Sequence, residues 1–304
     1  MCDDFTALAD EEALAKRGLN RRQFAALSAA SMGAMGLSAT GAAQAMGGLT
    51  EATVAIPTPD GTMDAFFVHP AEGKHPAIIM WPDIAGYRPA FQTMARALAA
   101  EGFAVACVNQ YYRSAKAPVM QSIAEFFAPE GRAKLGPMIQ KITNPGIQSD
   151  AKAIVAWLDM QDAVDTAKKV GVEGYCMTGG YGARCAAAVP GRIGVACSFH
   201  GAGIVTDAPD APYKLIKDSN PDCYFLFAIA QNDDARQPEM KEVLWKTAEE
   251  TGRGIRAEVF HGDHGWCVPD SPVYQHNEAV RARNISLAFY AKLGPPPPAR
   301  GFGG

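Results

Sequence analysis

The stretch VGVEGYCMTGGYGARCAAAV, residues 170–189, runs an apolar strand pattern into a thiol, Cys176, set among glycines and followed by a run of small residues. Strand, tight turn and helix in immediate succession form the context in which a nucleophile is lifted above a sheet, with a helix N-terminus behind it to favour negative charge. The small residues leave room for such a turn. A buried cysteine in a glycine-rich turn would carry the same local pattern, so the rest of the chain must decide.

Later loops supply partners. After the apolar run CYFLFAIA comes AQNDDARQP with Asp233 and Asp234, and after RAEVFHG comes DHGW, so that His261 and His264 flank the next strand's end. Nucleophile, then acid, then histidine, each in a loop after a strand, is the chain order of an α/β-hydrolase. Asp233 competes with Asp234, and the spacing to Pro238 favours the latter. His264 lies deeper in its loop than His261, which suits a base. His200, after VACSF, reads more readily as a satisfied near-core histidine than as a pocket residue. His200, His261, Asp263 and His264 lack the HExxH-type spacing of a metal site, so no metal and no cofactor is expected.

Working outward, strand patterns recur at EATVAIP, MDAFFVHP, PAIIMWP, FAVACVNQ, KVGVEGYC, RIGVACSFH, CYFLFAIA and RAEVFHG, each bounded by Gly, Pro or Asp. Helical periodicity fills gaps between them at FQTMARALAAEG, QSDAKAIVAWLDMQ, EMKEVLWKTAEETG and HNEAVRARNISLAFYAKLG, with Gly102, Gly252 and Gly294 as stops. Two early strands followed by β-α alternation predict a mostly parallel sheet with helices on both faces. Residues 113–146 interrupt that rhythm and are too apolar at IAEFF for a solvated linker, which makes them a candidate lid.

With these motifs on the page, the chain resembles the dienelactone hydrolase family from about PAIIMWPDIAGYRP to the last helix. The resemblance rests on the Gly-Tyr-Cys elbow, Asp83 after PAIIMW, QYYR at 110–113, Asp234 four residues before Pro238, and the loop holding His264. It implies an α/β-hydrolase fold and a hydrolase of carboxylic esters or lactones. Cys176 would be the nucleophile, His264 the base and then proton donor, and Asp234 the acid that fixes the imidazole tautomer. The oxyanion would sit against the backbone N–H groups of Ile84 and Met177. Asp83 stands where the family has a glutamate that supports the nucleophile, although an Asp in WPDIAGY also suits a turn cap. Two departures stand out. Thr178 occupies the second position after the nucleophile, where glycine is usual, and a β-branched residue there must fit a crowded turn. Val268 falls where some members carry an arginine that grips a substrate carboxylate, which turns the expectation toward a neutral or less polar ester, with Arg113 or Arg132 as the available substitutes. A catalytically silent, hydrolase-like binding protein is the rival reading.

Compartment and composition set the frame. The chain has 304 residues, 48% hydrophobic and 20% charged, with a net charge of −4, ordinary for a globular protein and without a charge block to recruit nucleic acid. Arg21 and Arg22 precede an Ala/Gly-rich stretch ending in AAQA, which resembles a twin-arginine signal. Residues 1–45 are therefore expected to be a signal peptide read by the twin-arginine translocation machinery. Residues 46–294 would be the hydrolase domain, and 295–304 a disordered Pro/Gly tail. The destination would be periplasmic or extracellular, with no stable membrane insertion. Of seven cysteines, Cys107 and Cys197 sit in strand patterns as small hydrophobes, and Cys267 follows His264 closely enough in sequence to raise a disulfide with the nucleophile.

Overall fold

The computed structural model describes residues 44–46 and 48–294. Nine strands form one sheet: β1 (Gln44–Met46), β2 (Leu49–Thr58), β3 (Gly61–Pro70), β4 (Ala77–Trp81), β5 (Ala104–Val108), β6 (Val170–Tyr175), β7 (Ile193–Phe199), β8 (Tyr224–Ala230) and β9 (Gly254–Phe260). Their spatial order is β1-β2-β3-β5-β4-β6-β7-β8-β9. The first three are antiparallel meander strands, β3 meets β5 antiparallel, and every pair from β5 to β9 is parallel. All eight strand patterns read from the sequence are present, and β1 is an addition at the edge. Most of the segment expected as a signal lies outside the described residues, but its last two residues, Gln44 and Ala45, belong to β1. The expected tail, 295–304, also lies outside them.

The helices are α1 (Pro89–Ala99), α2 (Ile123–Phe127), α3 (Pro129–Ile139), α4 (Asn144–Leu158), α5 (Tyr181–Ala188), α6 (Pro212–Leu215), α7 (Gln231–Arg236), α8 (Met240–Thr251) and α9 (His276–Tyr290). Every residue of β4, β5, β6 and β7 is buried, which is what apolar runs without alternation require of parallel strands covered on both faces. Alternate side chains sort accordingly. Ile79 and Trp81 pack with α4, α5 and α8, whereas Ile78 and Met80 pack with α1 and α9. Gly252 ends α8 in the left-handed region at φ +70°, its N–H closing on Ala248 O at 2.8 Å, as the sequence predicts.

Residues 113–146 form no linker. They hold α2 and α3, whose Ile123, Phe126, Phe127 and Leu135 build a third apolar cluster together with Ile84, Tyr111 and Cys176. The excursion therefore covers the carboxyl end of the sheet, where an open α/β sheet places its ligand. No helix among the described residues is long and apolar enough to cross a membrane.

Candidate active site

Cys176 leaves β6 with φ +55°, a left-handed conformation that a non-glycine residue adopts only when its surroundings impose it. A 3₁₀ turn, Cys176–Thr178, and then α5 follow at once. The carbonyl of Cys176 accepts from Gly179 N and from Ala202 N, both at 3.0 Å, so the elbow is tied to the loop after β7. That contact needs glycines: a Cβ on Gly179 would stand 2.3 Å from the Gly201 Cα.

Thr178 does not strain this turn. Its fully buried hydroxyl accepts the Tyr175 N–H at 2.9 Å and lies 2.8 and 2.9 Å from the carbonyls of Trp81 and Pro82, to either of which it can donate. A glycine could not make this link between the elbow and the end of β4. Beneath the elbow, the Tyr175 and Tyr290 hydroxyls donate to buried Glu173 at 2.8 and 2.7 Å. Burial pushes the Glu173 carboxyl up, and the two hydroxyls only partly oppose it.

The loop after β4 is held from several sides. Gln110 donates to the Asp83 carbonyl at 2.7 Å and the Tyr111 hydroxyl to the Ile84 carbonyl at 2.7 Å. These contacts explain half of the QYYR motif: Gln110 and Tyr111 orient the Asp83–Ile84 and Ile84–Ala85 peptides, the first of which carries the Ile84 N–H. The other half is remote from chemistry. Tyr112 and Arg113 both bond to Asp150 on α4, and Arg113 also holds Asp60, so Arg113 is not a substrate cation. Arg132 lies over the Phe126 ring, outside the residues that line the pocket.

Asp83 itself accepts from Arg88 at 2.6 and 2.9 Å and caps its own turn through Ala85 N at 2.9 Å. Arg88 is fully buried and also forks onto Asp270 at 2.7 and 2.8 Å. Burial alone would lower the Arg88 pKa, but Asp270 and Asp83 outweigh it and hold the guanidinium charged. Asp270 then accepts the Ile123 N–H at 3.1 Å, at the start of α2. One buried ionic node thus joins the Asp83 loop, the loop after His264 and the covering helix.

The carboxylate that meets His264 is not the one expected from the sequence. His264 Nδ1 is 2.6 Å from Asp233 Oδ2, whereas Asp234 turns away to Lys241 Nζ at 2.5 Å. The reason is local. The chain enters α7 at Gln231, so adjacent residues are rotated by about 100° around the helix axis and cannot both face His264. Gln231, Asn232 and Asp233 are all stitched to the His264 loop: Gln231 N to Gly262 O at 3.0 Å, and Asn232 Oδ1 accepting His264 N at 2.9 Å. A carboxylate only accepts, so Nδ1 carries the proton in the neutral ring and Nε2 is the basic nitrogen. His261 is exposed and receives no such partner, its N–H donating to Glu278 at 3.1 Å.

Cys176, His264, Asp83 and Ile84 line a single pocket with Ile123, Phe126, Phe127, Val268 and His200. His200 is not the satisfied core residue that the sequence suggests, since it borders the pocket and neither ring nitrogen is hydrogen-bonded among the described residues. None of the six described cysteines is in a disulfide, and all six are buried. Cys267 packs with Phe260, Trp266 and Tyr175 on the α1/α9 face, and burial pushes its thiol well up.

A family model for the "Dienelactone hydrolase family" matches residues 63–293. The chain belongs to the dienelactone hydrolase family. Among solved structures, this dienelactone hydrolase family member is similar to a Klebsiella pneumoniae protein provisionally named a dienelactone hydrolase, at a TM-score of 0.68 and 17% identity over 80% of this chain and 98% of that one. It is also similar to a dienelactone hydrolase-like promiscuous phosphotriesterase from metagenomic libraries, at a TM-score of 0.65 and 16% identity over 81% and 99%. At these identities the likeness is one of fold. A Methylorubrum extorquens protein provisionally named carboxymethylenebutenolidase is 27% identical over 133 residues, a match spanning 43% of each chain.

Proposed function

We propose that this family member is an exported, cysteine-dependent hydrolase of neutral carboxylic esters or lactones, with Cys176 as nucleophile, His264 as base and Asp233 as the orienting acid. The observation that carries the reading is the 2.6 Å contact between His264 Nδ1 and Asp233 beside a cysteine held at φ +55° on the same pocket.

The chemistry follows the usual triad logic. His264 Nε2 takes the Cys176 proton, the thiolate adds to the ester carbonyl, and the oxyanion is met by the N–H groups of Met177 and Ile84. The resulting imidazolium, held by Asp233, gives its proton to the departing alcohol. Water, deprotonated by His264, then attacks the thioester, and the thiol is restored as the acid leaves.

Substrate polarity follows from the lining. Val268 stands where a cation would be needed, Arg113 and Arg88 are committed to carboxylates, and no Lys or Arg is among the lining residues, whose apolar walls are Ile84, Ile123, Phe126 and Phe127. A buried carboxylate on the substrate would have no counterion there. The pocket is partly open to solvent and holds about 30 Å³ for water-sized occupants, room for a water or two.

The test is a panel of neutral and carboxylate-bearing esters and lactones on the wild type, Cys176→Ala and His264→Ala. Turnover confined to neutral members, and lost in both variants with unfolding temperatures unchanged, supports the reading. Full turnover by Cys176→Ala overturns it. Export is tested separately: Arg21→Lys with Arg22→Lys should leave precursor in the cytoplasm, because lysine keeps the charge but not the guanidinium pair.

A further inference from the structure

His200 is used by neither the triad nor the oxyanion site, yet the fold goes to some length to place it. It holds φ +40°, the only described non-glycine residue besides Cys176 with positive φ. Its backbone N–H is fixed to Ala228 O at 2.8 Å, and two residues on, Ala202 N bonds the Cys176 carbonyl. Gly201 between them packs against the elbow, where a Cβ would lie 3.1 Å from the Gly179 Cα, and against its own strand, where it would lie 2.2 Å from Ser198 Oγ. The loop bearing His200 and the turn bearing the nucleophile are therefore positioned by the same contacts.

The ring is 99% buried, borders the pocket, and lies edge-on to the His264 ring with centroids 4.9 Å apart. Neither Nδ1 nor Nε2 has a hydrogen-bond partner among the described residues. Buried polar atoms are ordinarily paired, so two orphans on one side chain facing a pocket call for a partner from outside the protein. A packing residue would need neither the polar atoms nor the strained backbone.

We infer that His200 is a substrate-recognition residue, presenting a hydrogen-bonding imidazole to a hydroxyl group on the acyl chain, so that the pocket selects short hydroxy esters or hydroxylactones. The inference rests on the hydrolase reading above and names the substrate class. Burial, and then the charge His264 acquires, push the His200 pKa well down against a smaller upward pull from its own backbone, so the ring stays neutral with one donor and one acceptor. A hydroxyl can answer either nitrogen. A carboxylate answers only the donor and would sit beside Asp83 without a cation. The apolar walls at Ile123, Phe126, Phe127 and Val268 account for hydrocarbon; of the other polar side chains on the pocket outside the triad, Asp83 is held by Arg88 and Ser271 Oγ accepts the Val273 N–H, which leaves His200 to meet a polar group on the substrate.

The probes are ethyl 3-hydroxybutanoate and ethyl butanoate, which differ by that hydroxyl. Their dissociation constants are measured on full-length Cys176→Ala, alone and combined with His200→Phe or His200→Asn, and their kcat/KM values on wild type and the two single His200 variants. The expected result is a preference for the hydroxy ester of roughly tenfold, the worth of one hydrogen bond. The preference should fall to about one in His200→Phe and survive in part in His200→Asn, whose side chain keeps a donor and acceptor and tolerates positive φ. Each ratio is internal to one variant, so a general loss of stability does not mimic the effect. A ratio of one in the parent, an unchanged ratio in His200→Phe, or no binding of either ester overturns the inference and leaves His200 with bound water only. Preferential binding without any hydrolysis by wild type would sink the hydrolase reading and keep His200. Hydrolysis without preference would do the reverse.

Discussion

Replacing Asp233 by Asn keeps the shape of the side chain and removes the charge facing His264. In the proposed mechanism His264 becomes an imidazolium during turnover; its Nδ1 lies 2.6 Å from Asp233 Oδ2, and the carboxylate side chain is only 16% exposed. Taking about 4 Å between charge centres and an effective dielectric of about 20, the lost attraction is about 4 kcal/mol. At about 1.4 kcal/mol per factor of ten, kcat should fall by about 10³. An amide can also donate its N–H to Nδ1 and select the wrong tautomer, which acts in the same direction. Asp234→Asn loses only a contact to Lys241 in a partly exposed pair, worth below about 1 kcal/mol of stability, and should leave kcat within about twofold. The assay is p-nitrophenyl acetate hydrolysis by both variants, with unfolding temperatures as the control for folding. Equal losses, or a larger loss in Asp234→Asn, would refute the assignment of Asp233.

Other perturbations probe the supports. Thr178→Val removes a hydroxyl shared by the elbow and the end of β4 while keeping its shape, so thermal unfolding should register a loss of about 1–3 kcal/mol. Asp270→Ala strips one carboxylate from buried Arg88 and from the Ile123 N–H, and denaturant unfolding should show a cost of about 3–5 kcal/mol. His200 is neutral when folded with its pKa depressed, so its unfolded form takes up a proton as pH falls through about 6.5. Stability should therefore be full above that pH and decline below it, and His200→Asn should flatten the slope by up to about 1.4 kcal/mol per pH unit, measured by denaturant titration from pH 7.5 to 5.

Apolar runs bounded by Gly and Pro made the sheet legible, because parallel strands buried on both faces leave little ambiguity about where they lie. The elbow was legible for a related reason: a thiol between a strand and a small-residue helix has few other uses. Asp233 was not. Its distinction from Asp234 depends on where α7 begins, a matter of one residue that the spacing to Pro238 does not encode. The helices over the pocket were visible only as an apolar excursion, since α2 and α3 are short and take their stability from packing on Ile84 and Tyr111 rather than from an amphipathic repeat. Asp270 gave no sequence signal at all, as its role comes from meeting Arg88 across 182 residues of chain. Thr178 looked like a defect because the carbonyls that its hydroxyl meets belong to another strand's end.

The central claim is a covalent intermediate on Cys176. Rapid acid quench of wild type with p-nitrophenyl acetate, followed by peptide mass spectrometry, should find one acetyl group on the peptide holding Cys176. The signal should build up in His264→Ala only slowly and be absent in Cys176→Ala. An acetyl group on a different residue during turnover, or turnover by Cys176→Ala at the wild-type rate, would contradict the account.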